Sequence, residues 1–156
     1  YRNGQDPEAR SGMSFAALTS GICLANAGLG VVHGFASSIG GMFNVPHGVV
    51  CGTLMAPANA VTVRELRKTN SNPEALNKYV TLGRLFLDFK DKSDDYYIDG
   101  FTEYLRELSE DLNLPHLRRY GINEEDLGPV CMITEPKNNP VKLNMGDLIE
   151  ILKERL

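Results

Sequence analysis

The 156-residue sequence has no CxxC pair, no long basic run and no uninterrupted apolar stretch of membrane-spanning length. It also has no convincing alternation of apolar and polar residues. Each absence removes a class of protein. Three widely spaced cysteines, Cys23, Cys51 and Cys131, argue against a disulfide framework and for a reducing, cytoplasmic setting. Each lies in an apolar stretch, where free cysteine ordinarily packs as a small buried hydrophobe rather than acting as a nucleophile. A net charge of −4 with no basic cluster points away from nucleic acid and from anionic membrane surfaces. The chain opens Tyr1-Arg2-Asn3-Gly4, without the charged head and apolar stretch of a signal peptide. It also opens without Met, as expected of a piece of something longer or of a trimmed start. Gly28-Leu29-Gly30 lacks the third glycine of a dinucleotide fingerprint and follows no strand, so the chain should not bind a dinucleotide by itself.

What remains is helical. Asp6 before Pro7 is a good helix start, with a capping carboxylate and a proline at the first helical position. Residues 10–29 are rich in Ala, Gly, Ser, Leu and Ile without a clean polar stripe, which predicts a helix buried in the middle of the protein. Residues 28–48, GLGVVHGFASSIGGMFNVPHG, carry enough glycine to break a long helix, with turns expected at Gly40-Gly41 and at Asn44-Val45-Pro46. A new helix begins near Pro46, kinks at Pro57, and leaves the core along its polar end, 64–68. Amphipathic helices follow from Asn72-Pro73 through Phe86 and again from Ile98 through Leu108, separated by a charged linker at 88–95. A short helix to Tyr120, a helix starting at Asn123 and a capped terminal helix over 148–156 complete the pattern. The expected architecture is one all-α domain, 1–156, of about six to eight helices on periodicity alone.

Only three histidines occur, and two of them, His33 and His47, share the glycine-rich window at a separation of 14 residues. On one unbroken helix they would stand about 21 Å apart, at 1.5 Å per residue. Two ligands of one metal must be much closer, so a shared site requires the chain to reverse between them. Two backbone-bonded core histidines would leave the same trace in the sequence. His116, beside Arg118 and Arg119, is expected on the surface without a function.

This window resembles the signature of the iron-dependent (group III) alcohol dehydrogenase family, in which two histidines stand at this spacing in a glycine-rich stretch and the second is followed by Gly. The likeness extends more weakly along the whole chain, to the upstream Ala- and Gly-rich helix and to the capped terminal helix after Asn139-Pro140. It implies the multi-helix C-terminal domain of the iron-dependent alcohol dehydrogenase and dehydroquinate synthase-like fold. It also implies a missing N-terminal nucleotide-binding domain for NAD(P), and a catalytic Fe2+ (or Zn2+) between the two. In the family one Asp and three His hold the metal. His33 and His47 match the last two histidines, and the Asp and first His fall before Tyr1. Many members carry a further histidine four residues after the ligand matched by His33, near the nicotinamide. Ser37 stands there, and a hydroxyl cannot replace imidazole as an acid or base near neutral pH. Leu24 and Ser37 match substrate-pocket positions.

On this resemblance the chain is a fragment of a metal-dependent NAD(P)-linked dehydrogenase acting on a small alcohol or aldehyde, inactive alone and binding no cofactor tightly. The competing expectation is a helical interaction module that self-associates, as a homodimer, through its former domain interface.

Overall fold

The computed structural model describes residues 3–88 and 90–156; Tyr1, Arg2 and the Phe89 position of the charged linker lie outside the described residues. Among the described residues there are seven α-helices and one 3-10 turn, and no strand. They are α1 (Pro7–Ala27), α2 (Val31–Met42), α3 (His47–Thr69), α4 (Pro73–Phe86), α5 (Asp94–Asp111), the 3-10 turn Leu117–Tyr120, α6 (Glu124–Ile133) and α7 (Met145–Glu154).

The helix starts follow the capping residues. Asp6 accepts from the Glu8 and Ala9 amides, Asn72 from Ala75 and Ser93 from Tyr96, each satisfying amides that the first turn leaves free. At α7 the exchange is reciprocal: Asn144 Oδ1 accepts from the Asp147 amide at 3.1 Å, and Asp147 Oδ2 accepts from the Asn144 amide at 2.8 Å.

α3 is the spine. It buries Val50, Leu54, Pro57, Val61 and Leu66, and α2, α4, α5 and α7 all pack on it. α6 bridges α2 and α7, closing one side of the core around Phe35, Ile39, Val130, Ile151 and Leu152. α4 and α5 form the other side. A methyl group at Gly83 would lie 2.2 Å from the Tyr97 carbonyl oxygen, so glycine is what lets these two backbones meet.

Three expectations need correction. First, the helix expected in the interior is exposed: α1 buries no residue, and it bends by 96° into α2. An apolar surface on all sides selects no single face for packing, so composition could not place it. The described core closes around α3 without it. Its C-terminal end is held at the loop, where Asn138 Nδ2 donates to the Ala27 carbonyl at 3.0 Å. Second, α2 runs straight through Gly40-Gly41. Each glycine costs a helix only about 1 kcal/mol relative to alanine, less than the burial of Phe35 and Ile39 returns. Third, the polar end of α3 does not leave the core. Glu65 is 5% exposed and Leu66 fully buried. Arg64 reaches Glu65 at 3.2 Å, Asp147 at 2.8 Å and Glu150, while Lys68 reaches Glu65 at 3.0 Å. A buried carboxylate survives because it is paired, and here the pairing ties α3 to the first turn of α7. α3 also continues past Pro57, as the helical pattern of 58–63 predicts.

No single helix among the described residues is long and apolar enough to cross a membrane.

Candidate metal centre

His33 occupies the first turn of α2, and His47 is the first residue of α3. Between them, Phe43 and Pro46 adopt extended backbone. Four extended residues reach at most about 14 Å, enough to carry the chain back beside α2 before α3 begins. The reversal therefore occurs at Asn44-Val45-Pro46, with no contribution from the glycine pair. It brings the two imidazole rings to a centroid separation of 5.5 Å, tilted by 51°.

Gly34 secures the α2 end of this arrangement. A methyl group there would lie 2.1 Å from the Glu135 carbonyl oxygen, so the segment after α6 passes directly against the helix beside His33. One turn further on, the Ser38 and Thr134 hydroxyls meet at 2.6 Å. The loop is joined to the start of α2 by the Asn138 amide, which donates to the Leu29 carbonyl at 2.8 Å. Gly28, with φ of +74°, makes the turn out of α1.

His33 is half-buried, and burial first, then the neighbouring His47 and Lys137, hold its pKa below the ordinary imidazole value. All three influences favour the neutral ring, the form that donates a lone pair to a metal.

A third group stands with the histidines. Cys51 Sγ lies 3.4 Å from His47 Nε2, and one donor atom each from His33, His47 and Cys51 all fall within 4.8 Å of one another. Two imidazoles and a thiol form a donor set suited to a divalent transition metal. From its apolar stretch of sequence, Cys51 is expected to be a buried hydrophobe. It is half-buried, and burial pushes its thiol pKa up. The signal that could have found it was its spacing: His47 and Cys51 are four residues apart, one turn along the same helix face. Of the other cysteines, Cys131 is buried as expected, whereas Cys23 is exposed on α1.

Ser37 is exposed, and its hydroxyl donates back to the His33 carbonyl at 3.0 Å. Leu24 is exposed on the last turns of α1, and His116 is exposed, as expected. A cavity of about 730 Å³ lined by Arg84, Lys90 and Tyr97 contains neither histidine and is no part of this centre.

The model for the C-terminal part of the Fe-containing alcohol dehydrogenase family matches residues 1–156. The chain belongs to this family. It is 29% identical to alcohol dehydrogenase 4 of Saccharomyces cerevisiae over 99% of its own length and 38% of that protein. It is 33% identical to 1,3-propanediol dehydrogenase of Klebsiella pneumoniae over 97% of the chain and 38% of that protein. The crystal structure of a 1,3-propanediol oxidoreductase superposes on 98% of the chain with a TM-score of 0.82 at 28% identity, covering 39% of that structure. The all-helical fold is thus that of the family's C-terminal domain. The chain spans less than two-fifths of the length of these relatives.

Proposed function

We propose that this chain is the helical, metal-binding portion of a metal-dependent, NAD(P)-linked alcohol dehydrogenase, with His33 and His47 as two ligands of its catalytic ion. The observation that carries this reading is the approach of two imidazoles, 14 residues apart in sequence, to 5.5 Å between ring centroids. The names of its relatives, which include dehydrogenases of alcohols and of 1,3-propanediol and a lactaldehyde reductase, support a small alcohol or aldehyde as substrate. When bound, iron(II) or zinc supplies the Lewis acid that polarises the alcohol oxygen.

The roles of this chain's residues follow from their environments. The environment of His33 favours the neutral ring with its lone pair free, and its segment of α2 is held by the packing of Gly34 and Ser38 against 134–135. His47 is placed by the 43–46 reversal and stands exposed at the start of α3, open to whatever completes the site. Ser37 and Leu24 are assigned to the substrate pocket by position. Because the Ser37 hydroxyl donates back to its own helix, its role is to accept or shape rather than to relay a proton. The remaining ligands and the site for NAD(P) belong to an N-terminal portion that the relatives' greater length leaves room for.

The test is the longer protein, in which this chain is joined to its nucleotide-binding portion and loaded with iron(II) or zinc. It is expected to oxidise a primary alcohol with NAD+ or NADP+. His33→Ala and His47→Ala should each lower kcat/KM about 10³-fold or more, because Lewis-acid stabilisation amounts to several kcal/mol and each ~1.4 kcal/mol is tenfold. Full turnover in either variant would overturn the assignment, as would alcohol oxidation by the isolated 156-residue chain.

One observation favours a second, compatible role. On α1, Met13, Phe15, Leu18, Ile22 and Leu24 are between 46% and 71% exposed. In this reading the rest of the longer polypeptide covers α1, and the isolated chain buries the same face by self-association.

A further inference from the structure

Cys51 has no part in the two-histidine reading. It lies on α3 one helical turn beyond His47, so the two side chains leave the same face of the helix. Its Sγ is 3.4 Å from His47 Nε2, and with His33 the three donor atoms fall within 4.8 Å of one another. For a tetrahedral ion with nitrogen at about 2.05 Å and sulfur at about 2.3 Å, two such donors stand roughly 3.6 Å apart. The observed pair already has nearly the ligand-to-ligand separation that an ion between them would impose.

We propose that Cys51 is itself a metal ligand, so that this chain supplies a two-nitrogen, one-sulfur set and its centre takes thiophilic divalent ions such as zinc. The inference rests on the assignment of His33 and His47 as ligands. On binding, the sulfur–metal bond forms as the thiol proton leaves to water, and nothing is oxidised. Three donors do not complete a tetrahedral shell, so the rest of the ion's coordination comes from groups outside this chain. A thiolate also shifts selectivity from harder ions, which prefer carboxylate and water, toward zinc and cobalt. The alternative use of the same 3.4 Å contact is a thiol hydrogen bond to the imidazole, which serine could also make. Substitution of Cys51 by serine separates the two.

The experiment is an anaerobic titration of cobalt(II) chloride into the 156-residue chain carrying Cys23→Ser, which removes the exposed thiol on α1. Visible ligand-field bands report the ion's geometry, and a near-ultraviolet sulfur-to-cobalt charge-transfer band reports a thiolate ligand. The expected result is both sets of bands. Adding Cys51→Ser should abolish the charge-transfer band and weaken cobalt and zinc binding by at least the ~10–100-fold that loss of a mere supporting partner costs. The charge-transfer band in the Cys51-containing protein is decisive even if the serine variant folds poorly. Ligand-field bands without charge transfer, with equal affinity in the serine variant, would overturn the role of Cys51 and leave the histidines as ligands. No cobalt binding at millimolar metal, or binding indifferent to His33→Ala, would overturn the histidine assignment and this inference with it.

Discussion

Tyr79 is 9% exposed and donates its hydroxyl to Asn59 Oδ1 at 2.6 Å, while Asn59 Nδ2 donates to the Met55 carbonyl at 2.7 Å. Burial pushes the phenol pKa up to about 12. In the unfolded chain it returns to about 10, so above that pH the unfolded state gives up a proton that the folded state keeps. The stability from this group is therefore fully present below pH ~10 and is lost as pH rises toward ~12. Urea unfolding at pH 9, 10 and 11 should show a steeper loss in the parent chain than in Tyr79→Phe. At pH 7 that variant should be less stable by about 1 kcal/mol, the net worth of one hydrogen bond. Parallel pH curves would exclude Tyr79 as the group responsible. At this scale the sequence was legible where a residue type has few uses: two histidines at a fixed spacing in a glycine-rich window point to one centre. Cysteine has several uses. Cys23, Cys51 and Cys131 have similar apolar neighbours in sequence and three different environments in the fold. Only the turn spacing from His47 separates Cys51 from the others in advance.

Within α2, glycines of the same residue type have opposite meanings. Gly34 faces the Glu135 carbonyl so closely that an added methyl would sit 2.1 Å from its oxygen, and that neighbour is backbone that yields only if the segment after α6 moves. Gly40 has nothing within 4 Å of the same added atom. Gly34→Ala should thus destabilise by about 1–3 kcal/mol, the usual cost of overpacking, even after the better helix propensity of alanine. Gly40→Ala should stabilise by up to about 1 kcal/mol. The urea midpoints of the two variants should move in opposite directions. A lower midpoint for both would mean that Gly40 is needed for something beyond the helix, and a higher midpoint for both would mean that the close approach at Gly34 is absent. Element starts were legible because a cap is a local bargain between one side chain and amides two or three residues away, as at Asp6, Asn72 and Asn144. The continuity of α2 through Gly40-Gly41 was not, because it depends on Phe35 and Ile39 finding partners on other helices. The burial of Glu65 was not either. Its ion partners, Arg64 and Lys68, are local, but its cover comes with the packing of distant elements such as α7 on α3.

For the whole molecule, the unsettled energy lies on α1. The all-round apolar character of 10–29 predicts a helix in the interior, but a sequence pattern does not name what would cover it, and the described core leaves α1 outside. Phe15, Leu18 and Ile22 form a stripe at helical spacing, all more than half exposed. Burying such a side chain fully is worth about 1.5–3 kcal/mol, so six from two facing copies would yield roughly 9–18 kcal/mol. Association itself costs an estimated ~4–15 kcal/mol. The two ranges nearly cancel, which predicts a weak, concentration-dependent self-association of the isolated chain rather than an obligate dimer. Light scattering from micromolar to millimolar protein should show the mass rising with concentration. Leu18→Asp with Ile22→Asp should hold it at the monomer value. The same pair should leave the urea midpoint unchanged, because neither side chain packs into the core around α3. A constant monomer mass in the parent chain would show that the α1 face does not pair with itself. A midpoint that falls sharply in the double variant would mean that α1 folds back onto its own core in solution, and that its cover lies within these 156 residues.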